Sequence, residues 1–387
     1  MKVAIYCDSS INGGHEEMLK RLLVASLSAP GVRKLVVMVP AANVALFHYA
    51  RDLEVSDSRV RAIGLTYTAE LIRRDVVGLW QATREAARTL TMLRPSKLIV
   101  SQGTIASGVA GVLAGRFAGV ETLSYLPLVD DGPTSRAPVD KLKWLGKLAL
   151  YRMPDQFVTL SEELRQKLLA LVPHRQTMVI ENYVDDRFTR SDLSKSAARA
   201  KLGLPADGTT VIAQIGRIDF AQKRQDFLME AIERHANKFR HTTVLIVGEG
   251  PDAPRLNALV AASPVLSGCV RIVGATKDVL PYIIASDALA LPSAFEGVPL
   301  VMIEAVLAER PIVASRVSGL DAYLPNELLF PAGDHDAMVQ RLLAAGAVPM
   351  ARLADMFQSR FSRKAFEERV HNLVAPICAE AHCARRR

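Results

Sequence analysis

The sequence predicts an α/β protein of two consecutive domains, each a parallel sheet wound with helices on both faces. Three observations carry this. Short apolar runs of four to six residues alternate with longer stretches of helical period, which is the pattern of βαβ units. The alternation lapses in a polar stretch over residues 185–196 and then restarts. The chain's 387 residues also exceed what one core holds, since single hydrophobic cores stop growing at about 250–300 residues.

Residues 3–6 (VAIY) read as a first buried strand, followed by a polar turn holding Gly13 and Gly14. Leu19, Leu22, Leu23 and Leu27 then recur at helical spacing. Residues 34–39, 97–100 and 121–125 are the next strands, and 156–160 and 177–180 keep the rhythm. Beyond the polar stretch, which reads as a linker, come 210–215, 243–247, 270–273, 288–291 and 311–314. The expected domains are 1–186 and 187–360. Residues 140–152 (DKLKWLGKLALYR) mix apolar and basic positions around Trp144. They read as a surface helix packed on the sheet, or as an amphipathic helix lying in a membrane interface.

Half of the residues are hydrophobic and 23% are charged, which excludes a disordered chain. Lys and Arg outnumber Asp and Glu by 48 to 40, a net charge of +8 spread over both halves. No basic tail stands out, so nucleic acid is not the expected partner. Anionic substrates or an anionic membrane surface suit a diffuse excess. The four cysteines, Cys7, Cys269, Cys378 and Cys383, are too few and scattered for a disulfide framework. Cys378, His382 and Cys383 do not complete a zinc site, and no metal is expected. No run of 18 apolar residues occurs, and the first apolar run ends by Asp8, too short for a signal peptide. A cytoplasmic protein, at most peripheral on the inner membrane face, is the expectation.

The chemistry concentrates in residues 292–305 (PSAFEGVPLVMIEA). A strand ends in a loop containing Gly297, and Pro299 suits the first turn of a following helix. A glycine loop opening a helix presents free amides and a positive dipole end to an anion. Glu304, inside that helix, can accept paired hydrogen bonds from two ribose hydroxyls, and Glu296 can meet a sugar hydroxyl. The plain alternative is a helix-cap loop with two surface glutamates.

The longer frame SAFEGVPLVMIEA…RPIVASRVSG, with seven residues between Glu296 and Glu304, resembles the donor-site signature of the family-four retaining glycosyltransferases of GT-B fold. Other pieces follow in family order: Gly216-Arg217 after a strand, then Lys223; Gly248-Glu249-Gly250-Pro251; Val270 to Gly274; and the helix YIIASD at 282–287. The resemblance covers nearly all of the second half and matches the first more thinly. It implies two facing Rossmann-like domains with a cleft between them, and a final helix, 361–387, that returns to the first domain. It places the donor on the second domain and the acceptor on the first. Arg217, Lys223 and Glu296 are then the catalytic set. Gly13, Gly14, Gly216, Val273, Gly297, Val298, Pro299, Leu300 and Glu304 would line the donor. Chemistry agrees on the two cations, because cleaving a sugar–diphosphate bond builds charge on the departing phosphate that fixed cations stabilise. No cofactor is implied, only a nucleotide-diphosphate sugar such as a UDP-sugar or GDP-mannose.

The chain departs from the family pattern in three places. His15 follows the glycine pair where a small residue is usual, and reads either as an acceptor contact or as a solvated first-turn histidine. The histidine that many members carry after a mid-domain strand is missing; the chain reads Ser124-Tyr125-Leu126 there. Asp130 and Asp131, a few residues on, are candidates for acceptor deprotonation or simply a polar loop, and no base is assigned. At the junction Tyr183 replaces the usual glycine. The reading is a hexosyltransferase acting on a glycan or lipid-linked acceptor in surface polysaccharide synthesis. A GT-B phosphorylase, an epimerase or a non-catalytic scaffold are the competitors. A nicotinamide enzyme is disfavoured, because Gly248-Glu249-Gly250 does not continue to the third glycine of G-x-G-x-x-G.

Overall fold

The computed structural model describes residues 1–375 other than 11–13, 131, 134, 136, 190, 318 and 319, and the backbone alone at residues 14, 73 and 74. The chain separates into two units. One runs from Met1 to Asn182 and takes in the chain from Lys364 onward; the other runs from Tyr183 to Arg363. The polar stretch read as a linker lies in the second unit, where it makes a 3-10 turn at Asp186–Phe188 and begins a helix.

The first unit follows the order β1 (Lys2–Tyr6), α1 (Gly14–Ser28), β2 (Lys34–Pro40), α2 (Val44–Ser56), β3 (Val60–Leu65), α3 (Ala69–Arg74), α4 (Val76–Leu93), β4 (Lys97–Ser101), α5 (Val109–Ala118), β5 (Glu121–Tyr125), α6 (Pro138–Tyr151), β6 (Gln156–Thr159), α7 (Glu162–Leu171) and β7 (Gln176–Val179). Its sheet is ordered β3-β2-β1-β4-β5-β6-β7, and every pairing is parallel. The chain steps outward from β1 to β3 and then returns to the far side of β1. Right-handed crossovers therefore put α1 and α2 on one face and α4 to α7 on the other. Both faces are buried, which is why the inner strands read as unbroken apolar runs. Ala4, Tyr6, Val36, Met38, Leu98 and Val100 pack under Ala82, Ala86 and Leu90 of α4 and Ala110 and Ala114 of α5. Helix α5 lies unusually close to the strands, because a Cβ at Gly115 would stand 2.1 Å from Thr122 Oγ1. Strand β3, absent from the sequence reading, is an edge strand. Only Val60 and Leu65 of its VRAIGL are buried, so it neither alternates nor forms a continuous run.

The second unit holds α8 (Lys195–Lys201), β8 (Thr210–Ile215), α9 (Gln225–Arg234), β9 (Thr242–Val247), α10 (Ala253–Ala262), α11 (Pro264–Cys269), β10 (Val270–Gly274), α12 (Leu280–Ala285), β11 (Ala288–Leu291), α13 (Leu300–Leu307), β12 (Ile312–Ser315), β13 (Leu329–Phe330), α14 (His335–Ala344) and α15 (Ala351–Arg360). Its sheet, also parallel throughout, is ordered β10-β9-β8-β11-β12-β13, so winding reverses between β8 and β11.

The final helix, α16 (Arg363–Val374), belongs mostly to the first unit. It buries Phe366, Val370, Leu373 and Val374. Lys97, buried at the start of β4, donates to the carbonyls of Leu373 (2.9 Å) and Ala375 (3.4 Å). A cation at the open carbonyls of a helix C-terminus satisfies them and complements the helix dipole. Cys378, His382, Cys383 and the terminal arginines lie outside the described residues.

Candidate active site

In doubly wound sheets, ligands bind beyond the carboxyl ends of the strands where winding reverses. In the second unit that point lies between β8 and β11, and the loops leaving these two strands carry the residues that matter. After β8, Gly216 leads to Arg217 and then Lys223; after β11, Ser293 and Glu296 precede α13. The two loops are tied together, since the amide of Ala294 donates to Gln222 O at 2.8 Å.

At their meeting point Lys223 Nζ donates to Glu296 Oε1 at 2.6 Å, and Ser293 Oγ donates to the same oxygen at 2.6 Å. The side chains of Lys223 and Glu296 are 16% and 5% exposed, so the pair is largely withdrawn from water. Lys223 is set from below: Gln214, buried in β8, donates to its carbonyl at 2.8 Å. Gly216 stands alongside, where a Cβ would come within 3.6 Å of Lys223 Cε. Ser315, at the end of β12, donates to Ser293 O and fixes the second loop.

Arg217 is more open, at 38% exposure, and is held within its own loop by Asp219 (2.8 Å) and Gln222 (3.2 Å). The turn after β9 locks this loop in place, with the amide of Ile218 donating to Glu249 O at 2.9 Å. That contact requires Gly248, whose φ is +144° and whose Cβ, if present, would fall 2.0 Å from Gly216 O. Val273 is half-buried at the end of β10, the edge strand beyond β9.

Pro299 caps α13 from one residue outside it, rather than sitting in its first turn. Its carbonyl takes the amides of Met302 (3.1 Å) and Ile303 (3.4 Å). Helical geometry leaves the amides of Leu300 and Val301 without an intrahelical acceptor. Met302, Ile303, Ala305 and Val306 are buried, whereas Leu300, Val301 and Glu304 share the half-buried face that leads back to Gly297. Val298 is buried and anchors the loop. The structure thus brings Gly216, Arg217, Lys223, Glu296, Gly297, Val298, Pro299, Leu300 and Glu304 to the carboxyl ends of β8 and β11. The sequence reading passed over Ser293 and Gln214. Ser293 lies three residues before Glu296, which was its only visible signal.

The first unit has its own reversal, between β1 and β4, and His15 lies across it. Its Nε2 is 3.2 Å from Ser101 Oγ at the end of β4, while its Nδ1 is buried without a partner. Burial lowers the imidazole pKa below its ordinary 6.5, outweighing the nearby Glu16, so the ring is neutral at pH 7. Tyr125, at the end of β5, also buries an unpartnered hydroxyl, and burial raises its pKa. Gly14 opens α1, whereas Gly13 and Asp131 lie outside the described residues. Asp130 is occupied. Lys147 of α6 donates to its carboxylate, as does Tyr151 Oη at 3.1 Å, so it ties its loop to α6. Among the described residues, no group of three or more His, Cys, Asp or Glu side chains is placed to hold a metal ion.

In sequence and in fold the chain is similar to known glycosyltransferases. Residues 209–345 match the family described as glycosyl transferases group 1. The chain is 30% identical over 263 residues to the 2-deoxystreptamine glucosyltransferase of Streptomyces kanamyceticus, covering 63% of this chain and 67% of that protein. It is 30% identical over 243 residues to a D-inositol 3-phosphate glycosyltransferase of Mycobacterium sp. (strain KMS), covering 58% of this chain and about half, 53%, of that protein. It is 26% identical over 239 residues to the lipopolysaccharide core biosynthesis glycosyltransferase LpsE of Rhizobium meliloti, covering 59% and 66%. The fold matches that of Anabaena HepE in complex with UDP-glucose at a TM-score of 0.75 and 18% identity, over 97% of this chain and 99% of that one. With two Rossmann-like parallel-sheet units, the chain belongs to the family-four glycosyltransferases of GT-B fold.

Proposed function

We propose that the protein moves a hexose from a nucleotide-diphosphate sugar to a hydroxyl of a glycan or lipid-linked acceptor, with retention at the anomeric carbon. The observation that carries the proposal is the Lys223–Glu296 pair at the reversal point of the second sheet, flanked by Arg217 and the open amides of α13. A diphosphate brought there meets Lys223, Arg217 and the amides of Leu300 and Val301, all suited to an anion. Glu304, on the same helix face, accepts hydrogen bonds from the ribose hydroxyls, and Val273 borders the base. Glu296 positions the sugar.

In the reaction the bond between the anomeric carbon and the β-phosphate oxygen breaks, and the acceptor oxygen bonds to the same face of that carbon. The acceptor's proton passes to the departing phosphate oxygen. Arg217 and Lys223 stabilise the charge that grows on the phosphate, the task a divalent metal performs in other sites. The leaving phosphate takes the base's role because Glu296, the carboxylate that meets the sugar, is committed: its Oε1 already accepts two hydrogen bonds. UDP-sugars are the first donors to test, since HepE was crystallised with UDP-glucose, and GDP-mannose is next. The likeness to LpsE supports a role in surface polysaccharide assembly.

The test follows isotopically labelled nucleotide sugars by NMR, with and without simple glycosides as acceptors, in the presence and absence of EDTA. The expected result is release of one nucleoside diphosphate, a first-formed product of the donor's own anomeric configuration, and rates that EDTA leaves unchanged. A first product of opposite configuration contradicts retention, and turnover requiring inorganic phosphate or proceeding as sugar epimerisation contradicts transfer.

A further inference from the structure

The helix layer formed by α4 and α5 carries a surface that the transferase reading does not use. Trp80 of α4 and Phe117 of α5 are 58% and 66% exposed, and their rings meet edge to face at 6.3 Å. Val76, one turn before Trp80, is 80% exposed. The inward faces of both helices are already satisfied by the sheet, so these side chains do nothing for the core. Arg84 and Arg88 continue the same stripe of α4 at four-residue steps, and Arg116 adjoins Phe117. All three are exposed, and none is paired with a carboxylate among the described residues. The acids of α4 point elsewhere: Asp75 caps its amides, and Glu85 accepts from Thr66 Oγ1 at 2.9 Å.

We propose that this face docks the protein on an anionic lipid bilayer, with Trp80 and Phe117 entering the headgroup region and Arg84, Arg88 and Arg116 contacting lipid phosphates. Charge complementarity selects this occupant. The aromatic pair is adjoined by three exposed arginines without a carboxylate partner among the described residues, on a chain of net charge +8. Exposed indole and phenyl rings beside cations are the composition that sits at a membrane interface. Helix α6 lies in the same layer, since Leu150 near its end, and Met153 just beyond it, line a small cavity together with Val109 and Val112 of α5. It exposes Leu142 and Leu145 beside Lys141, and beside Lys143, which pairs with Asp140 at 3.5 Å, extending the apolar surface. No helix among the described residues is long and apolar enough to cross a membrane, so the docking proposed is peripheral.

Vesicle binding is read without turnover, so this inference and the transferase reading stand or fall separately. The chain holds two tryptophans, Trp80 and Trp144, so Trp144→Phe leaves Trp80 as sole reporter on α4. That variant is sedimented with phosphatidylcholine vesicles, with and without phosphatidylglycerol, at low and high salt. Trp80 emission is recorded with brominated acyl chains as quencher. The expected result is binding to anionic vesicles alone, weakened by salt, with Trp80 emission shifted to the blue and quenched. Replacing Arg84 and Arg116 by Glu lowers vesicle affinity by about tenfold or more, while circular dichroism confirms an unchanged fold. Absence of binding at low salt overturns the proposal. So does binding that leaves Trp80 emission unmoved. A dimer in analytical ultracentrifugation that shields Trp80 overturns it too, by assigning the face to a second copy.

Discussion

Lys223 and Glu296 stand 2.6 Å apart with little access to water, so each is the other's counter-charge until a diphosphate enters. Removing one partner strands the other. Lys223→Ala is expected to cost about 3–5 kcal/mol of stability, as for other buried pairs broken on one side. It should also cut turnover by about a hundredfold or more, the usual effect of losing a group that stabilises growing charge. Glu296→Gln keeps the volume and the Ser293 contact and should fold better while still losing turnover. Denaturant titration and initial rates separate the two effects, and wild-type turnover in Lys223→Ala would contradict the role given to the cation. Arg217, Lys223, Glu296 and Glu304 were singled out in the sequence by the family-like frame that holds them, and the structure puts all four in the segments that follow β8 and β11. Ser293 and Gln214 were not legible as support, because their value depends on how their loops fold back: Ser293 Oγ reaches Glu296 and Gln214 reaches the Lys223 carbonyl, contacts that no periodicity or motif records.

Among the elements, α5 shows how tightly a helix can be committed to a sheet. A Cβ at Gly115 would stand 2.1 Å from Thr122 Oγ1 and 2.9 Å from Leu98 Cδ2. Gly115→Ala should therefore destabilise the first unit by about 1–3 kcal/mol, despite alanine's better helix propensity. An unchanged denaturation midpoint would mean that α5 can lift off the strands. In the second unit, α9 and α14 meet through His335, which stacks on Phe227 at 3.8 Å and lies 3.2 Å from Glu230. Burial, helped by Arg234, lowers its pKa below the ordinary 6.5, with Glu230 opposing, and its place in the first turn of α14 also disfavours a cation. The unfolded chain then binds more protons than the folded one between the two pKa values. Stability from this site is present above about pH 6.5 and is lost as pH falls through the folded value. The fall in melting temperature from pH 7 to pH 5 should be shallower in His335→Gln than in the wild type; equal slopes would remove His335 from the account. The elements that the sequence concealed were the marginal ones. β3 is an edge strand broken by exposed Arg61 and Gly64, and β13 has two residues, too few to make a pattern.

For the molecule as a whole, both sheets reverse their winding, and each reversal point carries a pair of polar side chains from the ends of the two strands or the segments that follow them. In the second unit the pair is Lys223 and Glu296; in the first it is His15 and Ser101. Helix α16 returns to the first unit, where Lys97 donates to the carbonyl of Leu373 near its end. The repeated strand–helix rhythm made the two-sheet plan legible, because interior parallel strands are covered on both faces and read as apolar runs. The order of strands within each sheet was not legible, since it depends on long-range pairing that no local pattern records. The central claim is that the second unit binds a nucleoside diphosphate through α13 and the β8 loop. It is tested most directly by thermal unfolding of the wild type and Glu304→Ala with UDP, GDP, ADP, TDP and NAD. A ligand at a hundred times its dissociation constant adds about 2.7 kcal/mol, a shift of a few degrees. The account expects one diphosphate to stabilise the wild type and to do so much less in Glu304→Ala. Silence from every diphosphate, or equal stabilisation of both proteins, would contradict it.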